Sequence, residues 1–147
     1  MKLQIASRLA IFAVLELTEH SERQLTVAEI ATRYGVSTHH LAKVMHELGR
    51  ARLVRSVRGA GGGYQFCANA RRTTLLDIIE LFEEFGPQGP DTNEPGRGTG
   101  EAAALDIVLG EIDEAVRATF GSITIATMRR LIEGGRVPPV ATGRLGS

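Results

Sequence analysis

One cysteine, Cys67, is all the thiol that this chain of 147 residues holds. That excludes an intrachain disulfide framework and a closed zinc site built on several thiolates, and it fits a reducing compartment. Long apolar runs are missing too. The longest, Leu9 to Leu15, is closed by Glu16 and falls far short of the ~20 residues needed to span a bilayer. No small-residue cleavage site follows it, so a cytoplasmic protein with no membrane partner is expected. No two histidines stand at i, i+4: His39, His40 and His46 cannot aim a helical pair of imidazoles at one ion, and no metal site is expected. A set of nucleophile, base and orienting group is also absent. Most acidic residues of 77–84 and 111–114 fall on helix faces that read as solvated, so the chain does not read as an enzyme.

The formal net charge is zero, but it is the sum of two unlike halves. Residues 1–73 carry 11 Lys+Arg and 5 Asp+Glu, whereas residues 74–147 carry 6 and 12. A basic first half can serve as an electrostatic footprint for phosphates, and the acidic second half is expected to face away from DNA or toward a partner. At 43% hydrophobic content the chain suits one compact domain, or a small domain with a helical appendage.

Apolar residues crowd at helical spacings from Ile5 through Leu17, which predicts a first, core helix, with His20 at its end. Thr26 and Glu29 have capping-box spacing, so a short helix is expected to about Tyr34, closed by Gly35. Ser37 can cap the next helix, beginning at Thr38. In that helix Leu41, Val44, Met45 and Leu48 fall at i, i+3, i+4 and i+7 and should face inward. His39, Lys43, His46 and Arg50 then lie outward, with Ala42 small beside them. Two helices separated by a three-residue turn, the second with a cationic outer face, can read a DNA groove.

Leu53 to Arg58 alternates as a strand, Gly59 to Gly63 makes a turn, and Tyr64 to Cys67 forms the returning strand. A phosphate-binding loop would need a Lys-Ser/Thr pair opening a helix, and strand-like Tyr64-Gln65-Phe66 stands there instead. The hairpin therefore reads as the wing of a winged helix-turn-helix domain. Physically, Thr38, His39 and Lys43 would enter the major groove, and Lys43, Arg50 and Arg55 would meet phosphates. Arg58 at the wing tip suits the narrow, negative minor groove. Cys67, next to Phe66 in the second strand, reads first as a small buried hydrophobe and second as a redox switch.

Thr74 and Asp77 open a helix whose stripe is Leu75, Ile78, Ile79 and Phe82, with Glu80, Glu83 and Glu84 wet and an end near Phe85 and Gly86. Gly86 to Gly100 holds three prolines and five glycines and is expected to be a mobile loop. From Glu101 to Phe120, Leu105, Val108, Leu109, Ile112, Val116 and Phe120 stripe a helix about 30 Å long. A stripe of that length without an intrachain counterpart suggests packing on its twin in a homodimer. A last helix is expected from about Ile125 to Glu133, before a disordered tail. The fold expected is thus mainly α with a small β-hairpin wing: a winged helix-turn-helix domain over 1–85, a loop over 86–100, dimerisation helices over 101–134 and a tail over 135–147.

Tyr34-Gly35-Val36-Ser37, His40, Lys43, Leu48, Leu53-Val54, Val57-Arg58-Gly59 and Gly62-Gly63-Tyr64, in that order, resemble the Rrf family of bacterial winged-helix regulators. The match is specific to about residue 85; beyond it only the layout agrees. The resemblance implies a homodimer with crossed long helices, a helix from Ser37 in the major groove and a wing in the minor groove. It also implies a palindromic double-stranded operator, most often under repression. The DNA-facing set is then Ser37, Thr38, His39, His40, Lys43, Arg50, Arg55, Arg58 and Gly62. Cluster-binding members carry three cysteines in the loop before the long helix, and here that loop, 86–100, has none. No iron-sulfur ligand set carries over, and no cofactor is expected. The alternatives to a plain repressor are a small-molecule or redox sensor, with Cys67 as the switch, and a cofactor site built from noncysteine ligands across the dimer.

Overall fold

Helix α1 (Ile5–Glu19) is the spine of the molecule. Its apolar residues run nearly all the way round, so it is a helix that others must cover; Leu9, Ala10, Ile11, Ala13, Val14, Leu15 and Leu17 are all buried. The computed structural model describes residues 1–59, 62–85 and 93–135. The wing-tip residues Ala60 and Gly61, residues 86–92 of the expected loop and residues 136–147 of the expected tail lie outside the described residues.

Helix α2 (Val27–Tyr34) begins at Thr26, whose hydroxyl accepts the Glu29 N–H at 3.1 Å. Only this half of the expected capping box is printed by the geometry, because the Glu29 carboxylate reaches Arg23 at 3.1 Å instead. Gly35 ends the helix with φ of 67°. Ser37 then caps α3 (Thr38–Arg50) by accepting the His40 N–H at 3.1 Å, and Leu41, Val44, Met45 and Leu48 are buried as the spacing predicts.

The hairpin is β1 (Val54–Val57) antiparallel to β2 (Gly63–Phe66), with Val54 opposite Phe66 and Val57 opposite Gly63. Both strands are shorter than expected, and Cys67 falls just outside β2. Leu25 adds a third rung: its N–H donates to the Tyr64 carbonyl at 3.0 Å and its carbonyl accepts from the Tyr64 N–H at 2.8 Å. Here the glycine cluster is more than a turn. A Cβ at Gly63 would collide with the Leu25 carbonyl, so the close approach of two backbones demands glycine there.

Helix α4 (Leu75–Ile79) has a complete capping box, with Thr74 accepting from the Asp77 N–H at 3.1 Å and Asp77 accepting from the Thr74 N–H at 2.9 Å. It stops at Ile79 rather than near Phe85. After it the chain tightens into i→i+3 bonds, Leu81 to Ile78 and Phe82 to Ile79. This brings Phe85 onto Phe120, their ring centroids 6.1 Å apart. Glu80 and Glu83 are not simply wet. Glu80 pairs with Arg117 at 3.1 Å, and Glu83 accepts the Gln4 N–H at 3.2 Å.

Helix α5 (Gly100–Ser122), capped by Thr99, runs for 23 residues without burying one. Helix α6 (Ile125–Glu133) matches its expected span and is capped by Thr124. The chain leaving the wing is laced to the α5–α6 junction by three backbone bonds of 2.9 Å: Leu75 N–H to Ile123, Ile125 N–H to Thr73 and Ala126 N–H to Ala70. Among the described residues no helix is long and apolar enough to cross a membrane.

Candidate nucleic-acid interface

Burial of one face of α3 fixes what the other presents. Thr38, His39, Lys43, His46 and Arg50 are exposed, and His40 is half-buried. Arg50 carries a loose pair with Glu47 at 3.6 Å, which still leaves most of its guanidinium wet. Ser37 is exposed, but its hydroxyl is committed to the helix start.

On the wing, Arg55 is exposed and donates to the Gln65 side chain across the hairpin at 3.0 Å. Arg58 lies exposed just past β1. Gly62 serves the turn itself: its N–H closes on the Gly59 carbonyl at 2.9 Å, and a Cβ there would lie 2.8 Å from the Val57 carbonyl.

Helix α3 and the wing share one groove of about 490 Å³, lined by His46, Arg50, Arg52, Arg55, Ser56, Tyr64 and Cys67 among others. Arg50 and Arg55, expected to meet phosphates, come together there. Thr38, His39 and Lys43 lie toward the other end of α3, and Arg58 lies beyond the groove at the wing tip.

Two lining residues depart from expectation. Cys67 is exposed, not a buried hydrophobe, because β2 ends at Phe66 and the thiol turns to donate to the Arg52 carbonyl at 3.4 Å. Arg52 was not singled out by sequence at all. It is the one described non-glycine residue with positive φ, 61°, a conformation that costs an L-residue roughly 1–2 kcal/mol. It closes α3 through two bonds, Leu53 N–H to Leu48 and Arg52 N–H to Gly49, in a position that glycine usually fills.

Behind this surface, a buried carboxylate fixes the angle of α2. Glu16 of α1 accepts from the Tyr34 hydroxyl at 2.7 Å and pairs with Arg33 Nε at 2.6 Å. Tyr34 also stacks on Phe12, centroids 5.0 Å apart. Burial, then the bond to Glu16, pushes the Tyr34 hydroxyl up to about 12. Nothing in the sequence pattern singled out Glu16, since its partners lie on a different helix. Glu16, Glu19 and His20 also bring ligand atoms within 4.8 Å of one another, but Glu16 is already held by Tyr34 and Arg33.

A two-helix reader followed by a hairpin and a long terminal helix is the geometry against which known proteins can be compared. The family profile described as "Rrf2: Iron-dependent Transcriptional regulator" matches residues 3–130. The chain belongs to the Rrf2 family. It is 44% identical over 140 residues to BadM of Rhodopseudomonas palustris, described as an HTH-type transcriptional regulator, covering 92% of this chain and 86% of that protein. The HTH-type transcriptional regulator IscR of Xenorhabdus nematophila is 29% identical over 126 residues, 85% of this chain and 77% of the relative.

Among solved structures, T. potens IscR superposes with a TM-score of 0.75 at 26% identity, covering 95% of this chain and 93% of the other. CymR, the global cysteine regulator of B. subtilis, gives 0.71 at 28% identity over 87% and 95%. The fold is a winged helix-turn-helix, and as an Rrf2-family member the chain is a transcription regulator rather than an enzyme.

The iron in the family description raises the question of a cluster. Protein-held iron-sulfur clusters rest on several thiolates, with histidine as an occasional substitute. This chain has one thiol, and it sits in the groove beside α3. Its donor set does not fit a cluster.

Proposed function

We propose that the chain is a homodimeric, sequence-specific DNA-binding repressor that reads a palindromic operator. Helix α3 would enter the major groove through Thr38, His39 and Lys43, with Ser37 and His40 at its start, and Arg50 and Arg55 would hold the backbone while Arg58 enters the minor groove. The observation that carries this is the shared groove, in which cations from α3 and from the wing line one surface of the basic half. The unburied face of α5 supports the dimer.

The test is retention of promoter fragments from the source genome over a series of salt concentrations. Affinity should fall steeply with salt, by a log-log slope of about −0.9 per phosphate contact. Lys43→Ala and Arg58→Ala should each weaken binding. Failure to retain any genomic fragment selectively would overturn the proposal.

The signal is proposed to be a small molecule or an oxidant, with no iron-sulfur cluster of the chain's own. One observation favours the oxidant: the Cys67 thiol is exposed on the groove lined by Arg50, Arg52 and Arg55. An oxygen adduct or mixed disulfide there would bring bulk, and in most forms negative charge, to the surface meant for phosphate. Peroxide should then release DNA from the wild type and not from Cys67→Ser; equal release from both would remove Cys67 as the switch. Protein purified without oxygen should be colourless and free of iron, and a retained iron chromophore would point instead to noncysteine ligands.

A further inference from the structure

We propose that Arg52 is a DNA-backbone contact, its guanidinium forming with Arg50 and Arg55 a seat for a phosphodiester in the groove between α3 and the wing. This rests on the DNA-binding reading above and adds to it a residue that neither the sequence pattern nor the family resemblance assigned.

The argument begins with an internal comparison. Helices α2 and α3 end in the same way, with a left-handed residue followed by a bond back across the last turn: Val36 N–H to Ala31, and Leu53 N–H to Leu48, each at 3.1 Å. At the end of α2 the left-handed position is Gly35, φ 67°, which adopts it freely. At the end of α3 the same position is Arg52, φ 61°. A side chain is therefore carried where the backbone favours none.

Nothing inside the chain repays it. Among the described residues no carboxylate pairs with Arg52, whereas Arg50 meets Glu47 and Arg55 meets Gln65. Its carbonyl is occupied by the Cys67 thiol, which holds the turn but uses no part of the guanidinium. A cation at a helix C-terminus does favour the helix dipole, but Arg50 already stands in that last turn. The free guanidinium is exposed on a groove of about 490 Å³ flanked by two further arginines and His46. Three clustered cations repel one another until an anion enters. A phosphodiester of DNA seated on α3 is the anion that this location meets, and arginine's fork of donors suits its paired oxygens.

The experiment uses Arg52→Gly, which supplies the residue the turn favours and removes only the side chain. Binding of the full chain to a retained promoter fragment and to unrelated DNA is measured by fluorescence anisotropy across salt, beside a thermal melt without DNA. The expected result is a roughly five- to tenfold loss of affinity near 0.1 M salt on both DNAs, and a salt slope shallower by about 0.9. The melting temperature should be unchanged or higher, which a purely structural role for Arg52 would not give. Arg52→Lys, which keeps the charge, should recover most of the affinity. Unchanged binding by Arg52→Gly beside a wild type that binds would overturn this proposal alone. A loss confined to the promoter fragment, or a lowered melting temperature with an unchanged salt slope, would also overturn it. A wild type that binds no DNA would overturn it together with the regulator reading.

Discussion

The Tyr34 hydroxyl donates to Glu16 Oε1 across 2.7 Å, and through that bond the last residue of α2 is tied to the middle of α1. The same oxygen meets Arg33 Nε, so two neighbouring residues of α2 converge on one carboxylate. The tilt of the helix-turn-helix thus depends on a polar contact at the back of the domain, away from the groove between α3 and the wing.

Tyr34→Phe keeps the stack on Phe12 and deletes only the donor, leaving Glu16 to Arg33. The expected cost is about 1–2 kcal/mol, near the lower end for a hydrogen bond to a charged group because the site is part-buried. Urea unfolding of the two proteins in parallel measures it, and equal midpoints would show that the bond contributes nothing.

The same pair predicts a pH dependence. The Tyr34 hydroxyl is raised from 10.0 to about 12 in the folded chain, first by burial and then by the Glu16 carboxylate. A group whose folded value is raised is stabilising in its protonated form. Its contribution should be complete below about pH 10 and lost as pH climbs through about 12. The wild-type stability advantage over Tyr34→Phe should shrink across that window and be flat below it, so an advantage that grows with pH would contradict the assignment.

Two glycines separate backbone need from side-chain space. Gly63→Ala pushes a methyl group into the Leu25 carbonyl and should cost about 1–3 kcal/mol as the wing is levered off Leu25. Gly49→Ala, inside α3 with no atom within 4 Å of the new Cβ, should instead stabilise by about 0.5–1 kcal/mol. Thermal melts without DNA would decide both, and a Gly63→Ala protein as stable as wild type would refute the close approach.

Where the sequence told the fold, it did so through local rules. The caps at Thr26, Ser37 and Thr74, the Gly35 stop and the buried stripe of α3 depend on residues within one or two turns of each other, and each recurs in the structure. What stayed hidden depends on residues distant in sequence. Cys67 reads as a strand residue because Phe66 precedes it, but the end of β2 is set by pairing with Val54, and the thiol turns outward. Helix α4 reads as longer because Phe82 continues its stripe, whereas Phe85 is drawn onto Phe120, 35 positions away, and the helix stops at Ile79. Arg52 could not be found by pattern, since an arginine after a cationic helix looks like one more surface charge until its φ is known.

The cap at Thr74 carries more than its own helix. Thr74 also bridges Thr124, at the junction of α5 and α6, so loss of its side chain weakens a capping box beside the lacing between the two parts of the chain. Thr74→Ala should cost about 1–2 kcal/mol, more than Thr26→Ala, which removes a cap lacking the reciprocal bond. Asp77→Ala should not add fully to Thr74→Ala, because each removes half of one motif. Additive losses in the double-mutant cycle would mean that the two halves act independently.

The face of α5 supplies the sharpest test of assembly. Leu105 is 58% exposed, Val108 51%, Leu109 48% and Ile112 52%, at i, i+3, i+4 and i+7 on one side of a 23-residue helix. Within a single chain this stripe has no reason to be apolar; against a second copy it would be a seam of the kind that long helices bury together. Ile112→Asp places a carboxylate in the centre of that seam. Left without a partner there it should cost about 3–5 kcal/mol, a hundredfold or more in the dimer constant at ~1.4 kcal/mol per tenfold. Sedimentation velocity should show wild-type dimers and variant monomers at the same micromolar concentration. The wild-type melting temperature should rise with protein concentration and the variant's should not. Because the winged part contributes none of these residues, the variant should keep its helical circular dichroism and still bind a half-operator weakly, while binding to the full palindrome collapses to that level. A variant that sediments as wild type would show that the stripe meets something other than its twin.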